Sequence, residues 1–259
     1  MTHYIMKRLC ESFIFCTQRN ENSNDSNILK LPGVPSGNWK NKYFRIKYTF
    51  GAFLFFMLAC VPAVAQKPFT EGVIVYNVTL VTTDHGEYKG VYTFTIKGSE
   101  IKKELKLNNG YDDIVVLNCG AGTVYTLQSK NGKKYMIQLS ISDLEKRQEK
   151  YLGFTVSNEQ INSRNIAGFS AAKGNIQYKD GANVEVYYTK EWNPVQRMTY
   201  ERFPDAKFLP VSYYYKDETG AIMHFDAEKI EARPVENSVF RAPADYKMIS
   251  YKEYKELSQ

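Results

Sequence analysis

Three sets of residues have the types and spacing that chemistry uses. The first is Gly168, Gly174 and Gly181 within NIAGFSAAKGNIQYKDGANVEVYY, residues 165–188. Glycines that cradle a dinucleotide or a nucleotide phosphate stand as G-x-G-x-x-G or as G-x-x-x-x-G-K-[ST], and a helix follows to offer its N-terminus. Here FSAAK separates the first two glycines, no Gly-Lys-Ser/Thr ends the loop, and the residues that follow read as strand, turn, strand. The glycines therefore shape a sheet: Gly168 and Gly174 permit bends or close backbone approach, and Asp180-Gly181 makes a hairpin turn.

The second set is Cys119 with His85 or His224, a notional thiol and base. Cys119 ends the apolar run DIVVLNC with no nucleophile motif around it, and such a cysteine reads as a small buried hydrophobe. His85 lies in TTDHGEYKG beside Asp84 and Glu87, without H-x-H or H-E-x-x-H spacing, so a solvated turn is the reading and no metal is expected. The third set is the carboxylate pairs Asp112-Asp113 and Asp217-Glu218. Both fall at turns, where acidic residues serve solubility and turn geometry. G-x-S-x-G is missing as well, and the chain is expected to be no enzyme and to need no cofactor.

Aromatic residues remain. Tyr187, Tyr188 and Trp192 close one predicted strand, and Tyr213, Tyr214 and Tyr215 run consecutively in another. Consecutive strand residues point to opposite faces, so rings occupy both. A core explains one face; the other needs a helix, a further strand or an apolar ligand over it. These six are the candidate ligand-binding residues.

The elements that must position them alternate with period two. Ile74, Tyr76, Val78 and Leu80 share one face; so do Tyr92, Phe94 and Ile96; so do Ile101, Leu105 and Leu107. Asn131-Gly132, Asp180-Gly181 and the turn from Asp217 to Gly220 join strands into hairpins. One helix is expected in SDLEKRQEKYL, opened by a Ser142-x-x-Glu145 capping box and stopped at Gly153, with Leu144, Gln148, Tyr151 and Leu152 on one side. A second short helix is expected at YKEYKEL. The fold class is thus mainly β, an antiparallel sheet packed on one side.

Charge separates the chain into parts. Residues 1–65 hold 8 Lys/Arg against 3 Asp/Glu, while residues 66–259 hold 26 against 25, so the overall +6 belongs mostly to the leader and asks for no nucleic-acid partner. Lys40, Lys42, Arg45 and Lys47 precede an uncharged run that ends Ala63-Val64-Ala65, the pattern of a secretory signal cut between Ala65 and Gln66. A retained anchor and a lipoprotein modified at Cys60 are the alternatives. Residues 1–39 read as an unstructured extension or a misassigned start, 40–65 as the signal, and 66–259 as one β-rich exported domain, with Cys119 its single cysteine.

Two stretches carry a resemblance. NIAGFSAAKGNIQYKDGANVEVYYTKEW and the closing ENSVFRAPADYKMI, on Phe240, Pro243 and Tyr246, resemble blocks of a secreted domain of unknown function from two-membrane bacteria, related to the GLPGLI family. The likeness spans roughly Gly72 to Ile249, with FPDAKFLPVSYYY where the GLPGLI motif would stand. It implies a fold similar to periplasmic lipoprotein carriers, in which a curled antiparallel sheet, an unclosed barrel, is closed by helices on its concave side and holds acyl chains. The expected function is binding of a lipid or acyl chain in the periplasm or at the outer membrane; the alternative is a protein-interaction module of the cell envelope.

Overall fold

The computed structural model describes residues 66–130, 132–217 and 220–256. The extension, the signal segment with Ala65, Cys60, Asn131 of one predicted turn and Glu218 of one carboxylate pair lie outside the described residues.

The alternation read from the sequence becomes a meander of six strands: β2 (Glu71–Val81), β3 (Glu87–Lys97), β4 (Glu100–Leu107), β5 (Asp112–Asn118), β6 (Thr123–Lys130) and β7 (Lys133–Ser140). A helix, α1 (Ile141–Glu149), leads to a second group: β8 (Thr155–Ile166), β9 (Phe169–Gln177), β10 (Asn183–Thr189), β12 (Leu209–Lys216) and β13 (Ile222–Glu231). A short strand, β14 (Lys247–Ser250), and α2 (Tyr251–Glu256) follow. All twelve strands form one sheet in the order β14-β7-β6-β5-β4-β3-β2-β13-β12-β10-β9-β8, antiparallel throughout except β14 on β7. Its end strands, β14 and β8, do not pair, so the sheet is unclosed. A separate parallel pair joins β1 (Lys67–Phe69) to β11 (Trp192–Pro194).

One face of this sheet, the inner face, holds the main core. Ile74, Tyr76, Val78 and Leu80 of β2 are buried there, as are Tyr92, Phe94 and Ile96 of β3 and Ile101, Leu105 and Leu107 of β4. Register places Tyr76 opposite Tyr92 and Ile74 opposite Phe94. Tyr76 is wholly buried, yet its hydroxyl is satisfied: it lies 2.6 Å from that of Tyr200 and donates to the Pro210 carbonyl at 2.7 Å. Tight backbone approach matters at two glycines. A Cβ on Gly90 would stand 1.9 Å from the Lys106 carbonyl oxygen, and one on Gly174 would press on Val156 and Tyr188 at 2.8 and 3.3 Å.

Topology forces chain across both faces. β7 lies beside one end of the sheet and β8 forms the other, so the connection that includes α1 must traverse a face; it takes the inner one. The segment from β11 to β12 joins it there, burying Met198, Tyr200, Phe203 and Phe208. Residues 232–246, between β13 and β14, cross the outer face, where Val235 and Phe240 pack on Val116. Lys97 fixes that crossing by donating to the Val235 carbonyl at 2.6 Å, and Glu71 accepts from the Val235 N–H at 2.8 Å. Phe240, part of the closing sequence block, is thus an anchor of the outer strap.

Candidate functional site

Between the inner face and its cover lies a cavity of about 80 Å³. Tyr92 and Phe94 of β3, Tyr213 and Tyr215 of β12 and Phe225 of β13 form its aromatic wall. Val115 and Leu117 of β5 border it as well. From β5 to β12 is five strand spacings, about 24 Å on a flat sheet at ~4.8 Å each. Residues so far apart border one small cavity only because the sheet curls around it.

The wall is a packed aromatic stack. Tyr213 lies parallel to Phe225 with centroids 4.7 Å apart and 12° between planes, and Tyr215 stacks on the same ring at 5.7 Å. Phe94 meets Tyr92 edge-on at 4.6 Å. Burial raises the Tyr92 and Tyr213 phenols well above their ordinary range and raises Tyr215 too, so all three stay protonated.

The cover differs from the wall. α1 begins with Ser140 as its N-cap, and no side chain caps it; the Ser140 and Ser142 hydroxyls instead meet each other at 2.6 Å. The expected capping box at Ser142 does not form, because Ser142 already sits inside the first turn. Among the described residues of α1 only Gln148 is buried, at 3% exposure, and its Oε1 has no hydrogen-bond partner. Leu144 is half-buried, and Tyr151, just past the helix, is buried beneath the Arg202 guanidinium at 4.6 Å. That guanidinium also stacks on Tyr215 at 4.3 Å, clasping cover to wall.

Polar groups reach the cavity from both sides. Lys103 enters from β4, where Nζ donates to the Met198 carbonyl at 2.7 Å and lies 5.6 Å from the centre of the Phe94 ring. Burial pulls its ammonium down to about 8, against a smaller opposing pull from Glu201. Arg147, Glu201 and Arg202 complete the charged lining. No serine, cysteine or histidine lines the cavity among the described residues, and no three His, Cys, Asp or Glu side chains converge as a metal site requires. What the arrangement offers is apolar surface, ring faces and fixed charge.

The six aromatic residues singled out from the sequence separate on the structure. Tyr213 and Tyr215 line the cavity. Tyr188 faces inward too, but it is sealed in the core against Phe208, with ring centroids 4.4 Å apart. Tyr187 lies half-buried between the Arg164 and Lys173 cations at 5.5 and 5.7 Å. Tyr214 is 48% exposed on the outer face, and Trp192 packs edge-on against Phe69 at 5.5 Å. Cys119 is a half-buried residue against the core, and His224 pairs with Asp226 at 3.3 Å. Asp113, read as a turn residue, is buried within β5, where it accepts from Gln128 Nε2 at 2.7 Å and Thr126 Oγ1 at 3.3 Å.

Lys103 was legible and overlooked. Period-two alternation that puts Ile101, Leu105 and Leu107 inside puts Lys103 inside with them, and a lysine in the middle of an apolar face is itself a signal.

No protein-family model matches the chain, and no curated protein matches it. Among solved structures it is similar to a LolA superfamily protein from Nitrosomonas europaea, at 12% identity and a TM-score of 0.33, over 68% of this chain and 92% of that one. No helix among the described residues is long and apolar enough to cross a membrane.

Proposed function

We propose that this protein is a non-enzymatic binding protein of the cell envelope that takes a hydrophobic ligand, a lipid or an acyl chain, against the inner face of its curled sheet. One observation carries the reading: of the two segments that cover the aromatic wall, the β11–β12 segment is anchored by buried apolar residues, whereas α1 has one buried side chain, the polar Gln148. Covers that belong to a core are held by apolar burial, at ~25 cal/mol per Å² removed from water, and α1 supplies little of it. Small-molecule pockets run to about 300–1,000 Å³, so an 80 Å³ space receives an acyl chain only when α1 moves aside. The ligand then enters the cavity that Tyr213 and Tyr215 border, taking the place of α1.

Export by the leader, cleavage after Ala65 and kinship with the GLPGLI-related domain belong to the same proposal. The basic-apolar-small pattern of residues 40–65 supports the first two and the two sequence blocks the third. The second reading, an interaction module, is favoured by one feature, the exposed Tyr214 on the outer face.

Native mass spectrometry of the chain recovered from a periplasmic fraction, followed by organic extraction, tests the first reading. A lipid-sized adduct is expected. A clean apo mass, together with failure to bind a neutral naphthyl dye, would sink it and favour the interaction module.

A further inference from the structure

The cavity carries more positive than negative charge for an aromatic-walled space. Lys103, Arg147 and Arg202 border it against one carboxylate, Glu201. Among the described residues no carboxylate lies within ion-pair reach of Lys103 Nζ, whose hydrogen bond to the Met198 carbonyl uses one of its three donors. Lys103 is half-buried, with Glu201 the one carboxylate in the same lining and outside ion-pair distance. A partly desolvated cation without a close ion pair is costly, and positions where it is tolerated are enriched in function. Gln148 adds an independent sign that a polar group enters this space: its side chain is nine-tenths buried and more, borders the same cavity, and leaves Oε1 unpartnered. As an acceptor, Oε1 would take a hydroxyl or water beside a ligand's head and not an anion itself. Two polar groups, one from the sheet and one from the cover, therefore face a space whose remaining walls are mostly aromatic and aliphatic.

We infer that the ligand is a single-chain amphiphile with an anionic head, whose carboxylate or phosphate pairs with Lys103 while its chain lies along the aromatic wall. This rests on the binding function proposed above and adds the charge of the head and the residue that reads it. The free donors of Lys103 supply charge-assisted hydrogen bonds, which are about twice as strong as neutral ones. Arg202, held flat between Tyr151 and Tyr215, keeps a second positive charge at the cavity margin.

The test uses the full chain and displacement of N-phenyl-1-naphthylamine, a neutral dye, by palmitate, by 1-palmitoyl lysophosphatidate and by hexadecanol. At least one of the two anions should bind roughly tenfold more tightly than the alcohol. A preference for palmitate alone identifies a carboxylate head, and one for the lysophospholipid alone a phosphate. Lys103→Met should bring the anions to within about twofold of hexadecanol, and Lys103→Arg should restore the preference. Equal affinity for all three in the unaltered protein overturns the inference and leaves the hydrophobic-binding function standing. Failure of the dye and all three amphiphiles to bind overturns both. Selectivity of the unaltered chain and of the arginine variant decides the matter even where the methionine variant fails to fold.

Discussion

Two desolvated ionisable side chains, the half-buried Lys103 and the buried Asp113, are expected to reduce stability in their charged forms. Burial pushes Asp113 up to about 6, with its hydrogen bonds from Thr126 and Gln128 only partly opposing the rise. A carboxyl whose folded value lies above its unfolded value near 3.8 favours the fold when protonated. That contribution is complete below about pH 4 and is lost as pH rises through about 6. Asp113→Asn keeps an acceptor for Gln128 and removes the charge. It should raise stability at pH 7 by up to ~3 kcal/mol and flatten the pH dependence between about 4 and 6, as measured by urea unfolding across that range. Lys103 runs the other way. Its folded value, about 8, lies below the ordinary 10.5, so its stabilising contribution is complete above the ordinary value and is lost as pH falls through about 8. Lys103→Met should therefore stabilise the fold at pH 7 by about 1–2 kcal/mol, net of the lost bond to Met198, while weakening anion binding. Affinity of the unaltered protein for palmitate should fall as pH rises above about 8. Of these residues the sequence shows only an address: alternation assigns Lys103 a face, whereas the partners that close the cavity over it come from β12 and α1, which are far from it in sequence.

The strands were legible because each follows a two-residue period between turn residues, and Ile74 to Leu80 or Tyr92 to Ile96 needs nothing beyond that to assign a buried side. The aromatic strands were less so. Tyr213, Tyr214 and Tyr215 obey alternation, yet which side is covered depends on a crossing segment that no local pattern announces. The same limit applies to α1, whose stripe through Leu144, Gln148 and Tyr151 was visible, but whose cap depends on where the preceding strand ends. A consequence for the cover follows at this scale. Gln148→Leu would give α1 an apolar anchor on the aromatic wall. The variant should melt a few degrees higher, in line with ~1 kcal/mol gained, and bind the naphthyl dye several-fold more weakly, because the cover competes better with the ligand.

An open sheet has two margins through which it could pair with another chain. At one end β14 is only four residues long and runs directly into α2, with Tyr254 set against Tyr135. At the other, β8 is twelve residues long and exposed everywhere but at Ile166. Its protection is geometric: pairing with β9 slips twice, between Ser157 and Gln160 and between Gln160 and Arg164, and Asn158 and Asn162 adopt φ of 54°. Asparagine tolerates that conformation better than most residues, and each bulge twists the margin away from a flat template. Deleting Asn158, Ile161 and Asn162 together removes the three residues by which β8 outruns β9 and should straighten β8, shifting the protein toward larger species than the unaltered chain on size-exclusion chromatography with light scattering. An unchanged size after the deletion would show that the polar side chains, and not the bulges, guard this edge.

The pairing of β13 with β2 joins Ile230 to Ile74 and Met223 to Leu80, across almost the whole described chain. During synthesis the meander from β2 to β7 emerges first, and β2, paired on one side with β3, presents an open, strongly apolar edge until β13 arrives. Closing so long a loop before any contact rewards it makes this step slow, and the waiting species is the one most exposed to misassembly. The seam between β2 and β13 thus closes late, and substitutions of its buried residues should lower yield in cells as well as the stability of the purified protein.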